Sequence, residues 1–169
     1  VLWKNEGYTV FFEQIIRDRE VIGMDSTSYD YMYRKANKFI EFSKITREYY
    51  AKKMSKTPIK GIAQPHYNDL GLDSNDLNAD INISEMVDEY ERIYGEIILQ
   101  ACDSIYPLDS NFSCSRKNNS LDPIIHDLRN KELVRKVVES KHKKIVVLYG
   151  ALHIKPMIKL LKEEDKKSF

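Results

Sequence analysis

Apolar residues recur at helical spacing over most of this chain, and polar or Gly- and Pro-containing stretches separate the periodic segments. An apolar residue at every third or fourth position is typical of a helix with one buried face. This spacing predicts four helices, over residues 8–22, 29–54, 83–101 and 123–140. The pattern is most regular over 83–101, where the helix is expected to be structural scaffold.

A different pattern occupies residues 145–149, where isoleucine, valine, leucine and tyrosine form one continuous apolar run. A short strand that is apolar on both faces is typical of the centre of a parallel sheet covered by helices. Gly150 then permits a sharp turn, and a helix with Pro156 near its first turn follows. The sequence therefore predicts a helix-rich α/β fold, with a few buried parallel strands flanked by helices.

Two long loops are predicted between these elements, over residues 55–80 and 107–121. The first is interrupted by proline and glycine and is rich in Asp and Asn, and the second is polar. We expect His66, in the first loop, to be solvated rather than bound to a metal. The length of 169 residues fits one domain, predicted to span residues 1–169.

Composition and charge argue against several classes of protein. The chain has 27 Lys and Arg residues against 26 Asp and Glu, which gives a net charge of +1. No nucleic-acid partner is expected, since phosphate binding needs a concentrated basic face. The longest apolar run is far shorter than the roughly 20 residues of a transmembrane helix, so no such segment is predicted. Cys102 and Cys114 are too few for a disulfide framework or a Cys-rich zinc module.

A polar group interrupts the inward stripe of the helix predicted over residues 123–140. His126, Arg129 and Asn130 stand where the spacing otherwise gives apolar residues. A guanidinium on a buried face must find acceptors or anionic partners, because an unpaired buried charge is very costly. Arg129 therefore reaches solvent, ties down a carbonyl or carboxylate, or lines a polar site.

His153 follows the predicted strand and its glycine turn, at the start of the last predicted helix. In open α/β folds, ligands bind at the carboxyl ends of strands, where such turns converge. The positive end of the helix dipole disfavours imidazolium, so we expect a neutral His153 that can bind a metal or accept a proton. The alternative is a histidine that only caps its helix or packs in a cleft.

Residues 144–165 resemble the C-terminal signature of the TraB–Tiki (PrgY-like) superfamily, which consists of a hydrophobic strand, a Gly-x-x-His turn and an amphipathic helix. Gly150 and His153 match the turn. Upstream, Arg129 and Asn130 resemble the Arg-Asn pair that precedes this turn in the family. The resemblance implies an α/β fold related to the ChaN and erythromycin-esterase groups.

Some members of this superfamily are metal-dependent proteases, in which a first Gly-x-x-His, an acidic residue and the second Gly-x-x-His converge on the metal. The resemblance implies that His153 is the second-motif histidine, a candidate catalytic residue and ligand of a divalent metal, with Arg129 beside it. Gly150, His126 and Asn130 are the candidate ligand-binding residues. The sequence contains no first Gly-x-x-His, nor the strand and acidic motif that follow it, so we expect a partial or degenerate member.

We therefore expect a TraB-like domain that acts as a non-catalytic structural or accessory subunit of a larger assembly, with other protein subunits as partners. One alternative is a metal-dependent hydrolase or peptidase whose remaining ligands lie upstream, and a second is a binder of haem or another small ligand through His153. A likeness of Ala79-Asp80 to plant and algal members suggests a plastid or mitochondrion. These expectations depend on a central strand at residues 145–149 and on Arg129 lying close to His153.

Overall fold

The computed structural model describes residues 6–40, 71–108 and 113–167. The fold is helix-rich α/β with a small parallel sheet flanked by helices, as the sequence predicts. The strands are β1 (Thr9–Phe12), β2 (Leu77–Asn78) and β3 (Ile145–Leu148). The helices are α1 (Arg19–Ile22), α2 (Ser26–Asn37), α3 (Ile83–Tyr94), α4 (Arg129–Glu139) and α5 (Ala151–Lys167). None of the described helices combines the length and the apolar character needed to cross a bilayer.

The three strands run parallel in the order β2–β1–β3. Phe11 is the register partner of Leu77 on one side and of Val147 on the other. β1 is therefore the central strand of the described sheet, and its residues Val10 and Phe11 are almost fully buried. Because the strands are parallel, their carboxyl ends meet at one edge of the sheet.

The prediction of one helix over residues 8–22 is wrong. This segment contains β1, and within it only the four residues of α1 are helical. β-Branched and aromatic residues favour strands, and backbone bonds such as Thr9 N–H to Lys144 O (3.0 Å) hold β1 extended. Periodicity alone does not separate a helix from a strand in so short an apolar run.

The strand predicted at residues 145–149 is present as β3, but its predicted central position is wrong. β3 is an outer strand among the three described ones, and each of its residues is only half-buried. Ile145 and Val147 pack against the core of the sheet, so one face of the strand is covered. The apolar run thus marks a strand without marking the centre of the sheet, which the more deeply buried β1 occupies.

The loop predicted over residues 55–80 is wrong at its end, where β2 lies. Two residues give too short a pattern to predict a strand. The Asp76 carboxylate, just before β2, accepts the Val10 N–H (2.9 Å) and so connects this segment to β1. Residues 55–70, with His66, lie outside the described residues. In the loop predicted over 107–121, residues 113–121 contain neither helix nor strand, as expected.

Two helices end earlier than the sequence predicts. α3 ends at Tyr94 instead of residue 101, because Gly95, with φ 88°, adopts the left-handed conformation that terminates helices. α2 ends at Asn37 instead of residue 54, and residues 41–54 of that prediction lie outside the described residues. The helix predicted over 123–140 is confirmed as a π-helical turn, Pro123–Leu128, that continues into α4.

The chain divides into two compact units, each described here by itself. The first unit consists of Val1–Ile16, Gln64–Asn82 and Leu121–Phe169, and it holds the sheet, α4 and α5. Its core comprises Phe11, Ala79, Leu133, Val134 and Met157. The single domain over residues 1–169 stays a prediction.

The second unit consists of Arg17–Ala63 and Ile83–Ser120 and holds α1, α2 and α3. Tyr90 of α3 stacks on Phe39, with the ring centroids 4.1 Å apart. A 3₁₀ turn, Ala101–Ser104, carries Cys102, which forms a disulfide with Cys114.

Candidate functional site

Polar side chains gather where the three strands end. Glu13 directly follows β1, Asp80 follows β2 after one intervening residue, and Gly150 follows β3 in the same way. This edge of a parallel sheet is where α/β folds bind ligands. Residues from the starts of α4 and α5 complete the group, all within the first unit. We call the whole group the strand-end cluster: Glu13, Asp80, Arg129, Asn130, Gly150 and His153.

Arg129, the first residue of α4, is the centre of the strand-end cluster and is only 4% exposed. Its Nε donates to Asp80 Oδ1 (2.8 Å), and its Nη2 donates to Asp80 Oδ2 (2.6 Å) and to Glu13 Oε1 (2.6 Å). Of the alternatives that the sequence left open, contact with solvent is therefore excluded. One guanidinium joins the carboxylates that follow β1 and β2.

Asp80 is fully buried and is held on every side by its own segment and by α4. Besides the two bonds from Arg129, its Oδ1 accepts the Ile81 N–H (2.8 Å). The Lys136 ammonium donates to the Asp80 backbone carbonyl (2.7 Å). These bonds fix the chain just after β2 and satisfy a carboxylate that would otherwise be very costly to bury.

Glu13 connects β1 to the turn after β3. Its Oε2 accepts the Gly150 N–H at 2.6 Å. A Cβ atom at Gly150 would lie 3.3 Å from this oxygen, closer than ordinary van der Waals contact, so the absence of a side chain permits the close approach. The glycine of the predicted Gly-x-x-His turn thus binds the carboxylate through its backbone.

His153, in the first turn of α5, has no exposed surface. Its Nδ1 lies 2.7 Å from Asn130 Oδ1. Because an amide oxygen only accepts hydrogen bonds, this pairing assigns the proton to Nδ1. The other ring nitrogen, Nε2, faces the Glu13 carboxylate, 3.6 Å from Oε1. Asn130 therefore orients the imidazole, and Glu13 lies between the imidazole and Arg129.

His126 and Tyr149 flank the imidazole of His153. The ring centroids of His126 and His153 are 5.1 Å apart, and the Tyr149 ring meets His153 edge-on at 5.5 Å. Tyr149 also donates from its hydroxyl to the Ala79 carbonyl (3.0 Å). His126 Nε2 lies 3.7 Å from the Asp122 carboxylate, and the His126 ring is tilted by 51° to the ring of His153.

The structure thus brings all five predicted site residues together. His153 pairs with Asn130, and Gly150 donates to Glu13. The Glu13 carboxylate also lies between Arg129 and His153. His126 adds a ring contact.

Two members of the cluster, Glu13 and Asp80, are not among the predicted site residues. The sequence shows neither a first Gly-x-x-His nor the strand and acidic motif that follow it in the family, but the structure does place one acidic residue, Glu13, directly after β1. A signal was present: Glu13 ends an apolar run, which is how an acidic residue at the end of a strand looks in sequence. Asp80 stands in the Ala79-Asp80 pair, where the sequence gives only a weak family likeness.

The residues of the cluster do not form a complete site for a divalent metal. Structural and catalytic zinc sites use three or four protein ligands. Here every carboxylate oxygen of Glu13 and Asp80 accepts a hydrogen bond from Arg129 or Gly150, so the cluster does not offer three ligands to a metal. A haem iron on His153 fits no better, because Nε2 faces the Glu13 carboxylate. Across the described ranges, the one group of three side chains with metal-ligand spacing is Cys102, Asp103 and Cys114, in the second unit.

Comparison of the chain with models of protein families, with curated proteins and with solved structures gave no match. The resemblance to the TraB–Tiki superfamily therefore stays a prediction. Of the two structural features on which it depends, the central position of residues 145–149 is absent among the described strands, whereas Arg129 does lie close to His153 through Glu13. Any functional conclusion rests on the geometry of the strand-end cluster.

Proposed function

We propose that this chain is a TraB-like, non-catalytic accessory subunit of a larger protein assembly, and that its strand-end cluster has a structural role. The observation that carries the proposal is the internal pairing of the cluster. Each carboxylate oxygen of Glu13 and Asp80 accepts a hydrogen bond from Arg129 or Gly150, and Arg129 is itself 4% exposed.

A cluster paired in this way holds the fold together. Arg129 joins the segments after β1 and β2, and the Gly150 N–H joins the turn after β3 to Glu13. A buried network of paired charges rigidifies its surroundings, whereas removing one partner leaves an uncompensated charge. A substrate or metal would have to displace Arg129 or Gly150 before it could use these carboxylates.

Three aliphatic side chains in the second unit are exposed and offer apolar surface to a protein partner. Val21, Ile98 and Ile105 are exposed to 69%, 72% and 74%. Covering such side chains with a protein partner would gain about 25 cal/mol for each Å² of apolar surface removed from water. We propose that other protein subunits cover these side chains in the assembly.

Metal analysis with a matched pair of variants tests the non-catalytic role. Elemental analysis of the purified protein should find no stoichiometric metal, and His153→Ala should lower the free energy of unfolding without changing the metal content. Lys155→Ala, at an exposed position of the same helix, is the control and should change neither quantity. One equivalent of metal that is lost in His153→Ala but kept in Lys155→Ala would overturn the proposal.

The accessory role has its own test. Under native conditions, the tagged chain from its source cells should elute at a mass well above that of the chain alone, with partner proteins in fixed ratio. Elution as a monomer with peptidase activity would contradict it.

A metal-dependent hydrolase or peptidase of the TraB–Tiki type is the second candidate, and one observation favours it. The Glu13 carboxylate meets both Gly150 and His153, so an acidic residue and the Gly-x-x-His turn converge as the resemblance implies for a metal site. The remaining ligands would then come from residues upstream of this chain. The elemental analysis above distinguishes the two candidates when it is repeated on a longer chain.

A further inference from the structure

The second unit contains a disulfide and a buried ion pair that share the same two segments. Cys102 lies in the 3₁₀ turn Ala101–Ser104 and is bonded to Cys114. The residue next to Cys102, Asp103, forms an ion pair with Lys38, just after α2. Asp103 is 3% exposed and Lys38 is 1% exposed, so both charges are out of contact with water.

Lys38 is held by the chain around Cys114. Its ammonium donates to the Cys114 carbonyl (2.6 Å), and its own carbonyl accepts the Lys117 N–H (2.6 Å). We refer to the residues that make these contacts as segment 113–117. None of these contacts is covalent, and each of them requires segment 113–117 to stay in place beside Lys38.

Asp103 is held by the same segment from the other side. Its Oδ1 accepts the Cys114 N–H (3.1 Å) and the Ser113 hydroxyl (3.3 Å). Burial raises the pKa of Asp103, but hydrogen bonds from Lys38, Gln100 and Cys114 outweigh burial and leave the pKa below its usual value. The ion pair and segment 113–117 therefore stabilise one another.

We propose that the Cys102–Cys114 disulfide is a redox switch that controls whether segment 113–117 stays on the Lys38–Asp103 ion pair. A dithiol reductant would act on it by thiol–disulfide exchange. One reductant thiolate attacks a protein sulfur and forms a mixed disulfide, and the second thiol then displaces the protein sulfur. Two electrons and two protons pass to the protein, which gains two thiols, while the reductant becomes a disulfide. Both cysteines are half-buried rather than fully enclosed, as this reaction requires.

Reduction weakens the segment because the covalent link restricts the chain. The two cysteines are 12 residues apart, and reducing the disulfide increases the conformational entropy of the opened loop between them. Noncovalent contacts must then hold the segment, chiefly the hydrogen bonds to Lys38 and Asp103 and the one from Ser115 to Gln100. When the segment opens, the buried charges of Lys38 and Asp103 become exposed and are solvated by water.

Hydrogen exchange of individual amides tests this inference. The Cys114 N–H binds Asp103, and the Lys117 N–H binds Lys38. With dithiothreitol, both amides should exchange about tenfold faster or more than in the oxidised protein. The Gly150 N–H, which binds Glu13 in the first unit, is the internal control and should not respond. Equal exchange of Cys114 and Lys117 with and without reductant would overturn the proposal.

A double variant and peptide mapping complete the test. Cys102→Ser/Cys114→Ser should show fast exchange at Lys117 without reductant and no further response to dithiothreitol. Digestion of the untreated protein without reductant should yield one peptide pair linked through Cys102 and Cys114. Two free thiols in that protein, or one equivalent of zinc held by Cys102, Asp103 and Cys114, would overturn the switch. The inference does not depend on the proposed function of the strand-end cluster.

Discussion

At the scale of single residues, Arg129 shows how far a sequence can constrain an interaction. Its position on an inward stripe requires acceptors or anionic partners, and the structure supplies two carboxylates. The partners themselves, Glu13 and Asp80, are far away in the chain, and helix spacing carries no information about them. The sequence predicts that the charge of Arg129 is paired, but it does not predict which residues pair with it.

Removing Arg129 should therefore be unusually destructive. Arg129→Met keeps much of the side-chain volume but takes away the cation that Glu13 and Asp80 share. Breaking a buried pair in this way costs about 3–5 kcal/mol. We expect a loss of this size in the free energy of unfolding, measured by urea titration.

Arg135→Met is the matched control for this prediction, because Arg135 lies on the same helix and pairs with Glu132 while its side chain is 52% exposed. Exposed ion pairs contribute about 0–1 kcal/mol. If both variants lose the same free energy, the strand-end cluster does not have the structural role assigned to it.

At the scale of elements, β1 shows why a correct periodicity can give a wrong element. Apolar residues between 8 and 22 fit a helical period, but β1 alone fits a strand equally well. Its state is decided by β2 and β3, which come much later in the chain and bond to both of its edges. Local pattern predicted α4, β3 and α5 as elements because each carries its own signal, an amphipathic period in the helices and a continuous apolar run in β3.

The end of α3 offers a test at this scale. Gly95 has φ 88°, a conformation that an L side chain adopts only with strain, although a Cβ there would meet no other atom. Gly95→Ala should thus lower the free energy of unfolding by about 1 kcal/mol through the backbone alone. Thermal or urea unfolding measures the loss.

Gly95→Asn is the comparison variant, since Asn tolerates the left-handed region better than Ala. It should recover part of the loss. An Ala variant as stable as the parent protein would show that α3 ends at Tyr94 for a reason other than the conformation of Gly95.

At the scale of the whole molecule, the sequence predicts the fold class and one side of the strand-end cluster. The side on α4 and α5 could be predicted because a strand, a glycine turn and a helix follow one another in order. The apolar run before Glu13 marks the end of a strand, but the sequence does not place Glu13 or Asp80 in the site, because both enter it only through the pairing of β1 with β2 and β3. The outer position of β3 could not be predicted either, because strand order depends on how distant segments assemble into the sheet.

The response of stability to acid is the corresponding whole-molecule prediction. The pKa values of Asp103, Glu91 and Glu132 lie below their usual values. For Asp103 and Glu91, burial raises the pKa but hydrogen bonds from lysine and backbone N–H groups outweigh it. For Glu132, the hydrogen bond from Arg135 is the main cause. A carboxyl group of this kind binds protons more readily in the unfolded chain than in the folded one.

Their stabilisation is therefore complete above the pKa of the unfolded chain, near 4, and disappears as the pH falls through the lower folded-state pKa. We expect the free energy of unfolding, measured by urea titration in the oxidised protein, to fall below about pH 4. Asp103→Asn should cost about 3 kcal/mol near neutral pH and progressively less in acid, because the buried Asp103–Lys38 pair is already lost there. Asp88→Asn, at an exposed position of α3, should run parallel to the parent protein. A cost of Asp103→Asn that is independent of pH would show that the carboxylate's charge does not stabilise the fold.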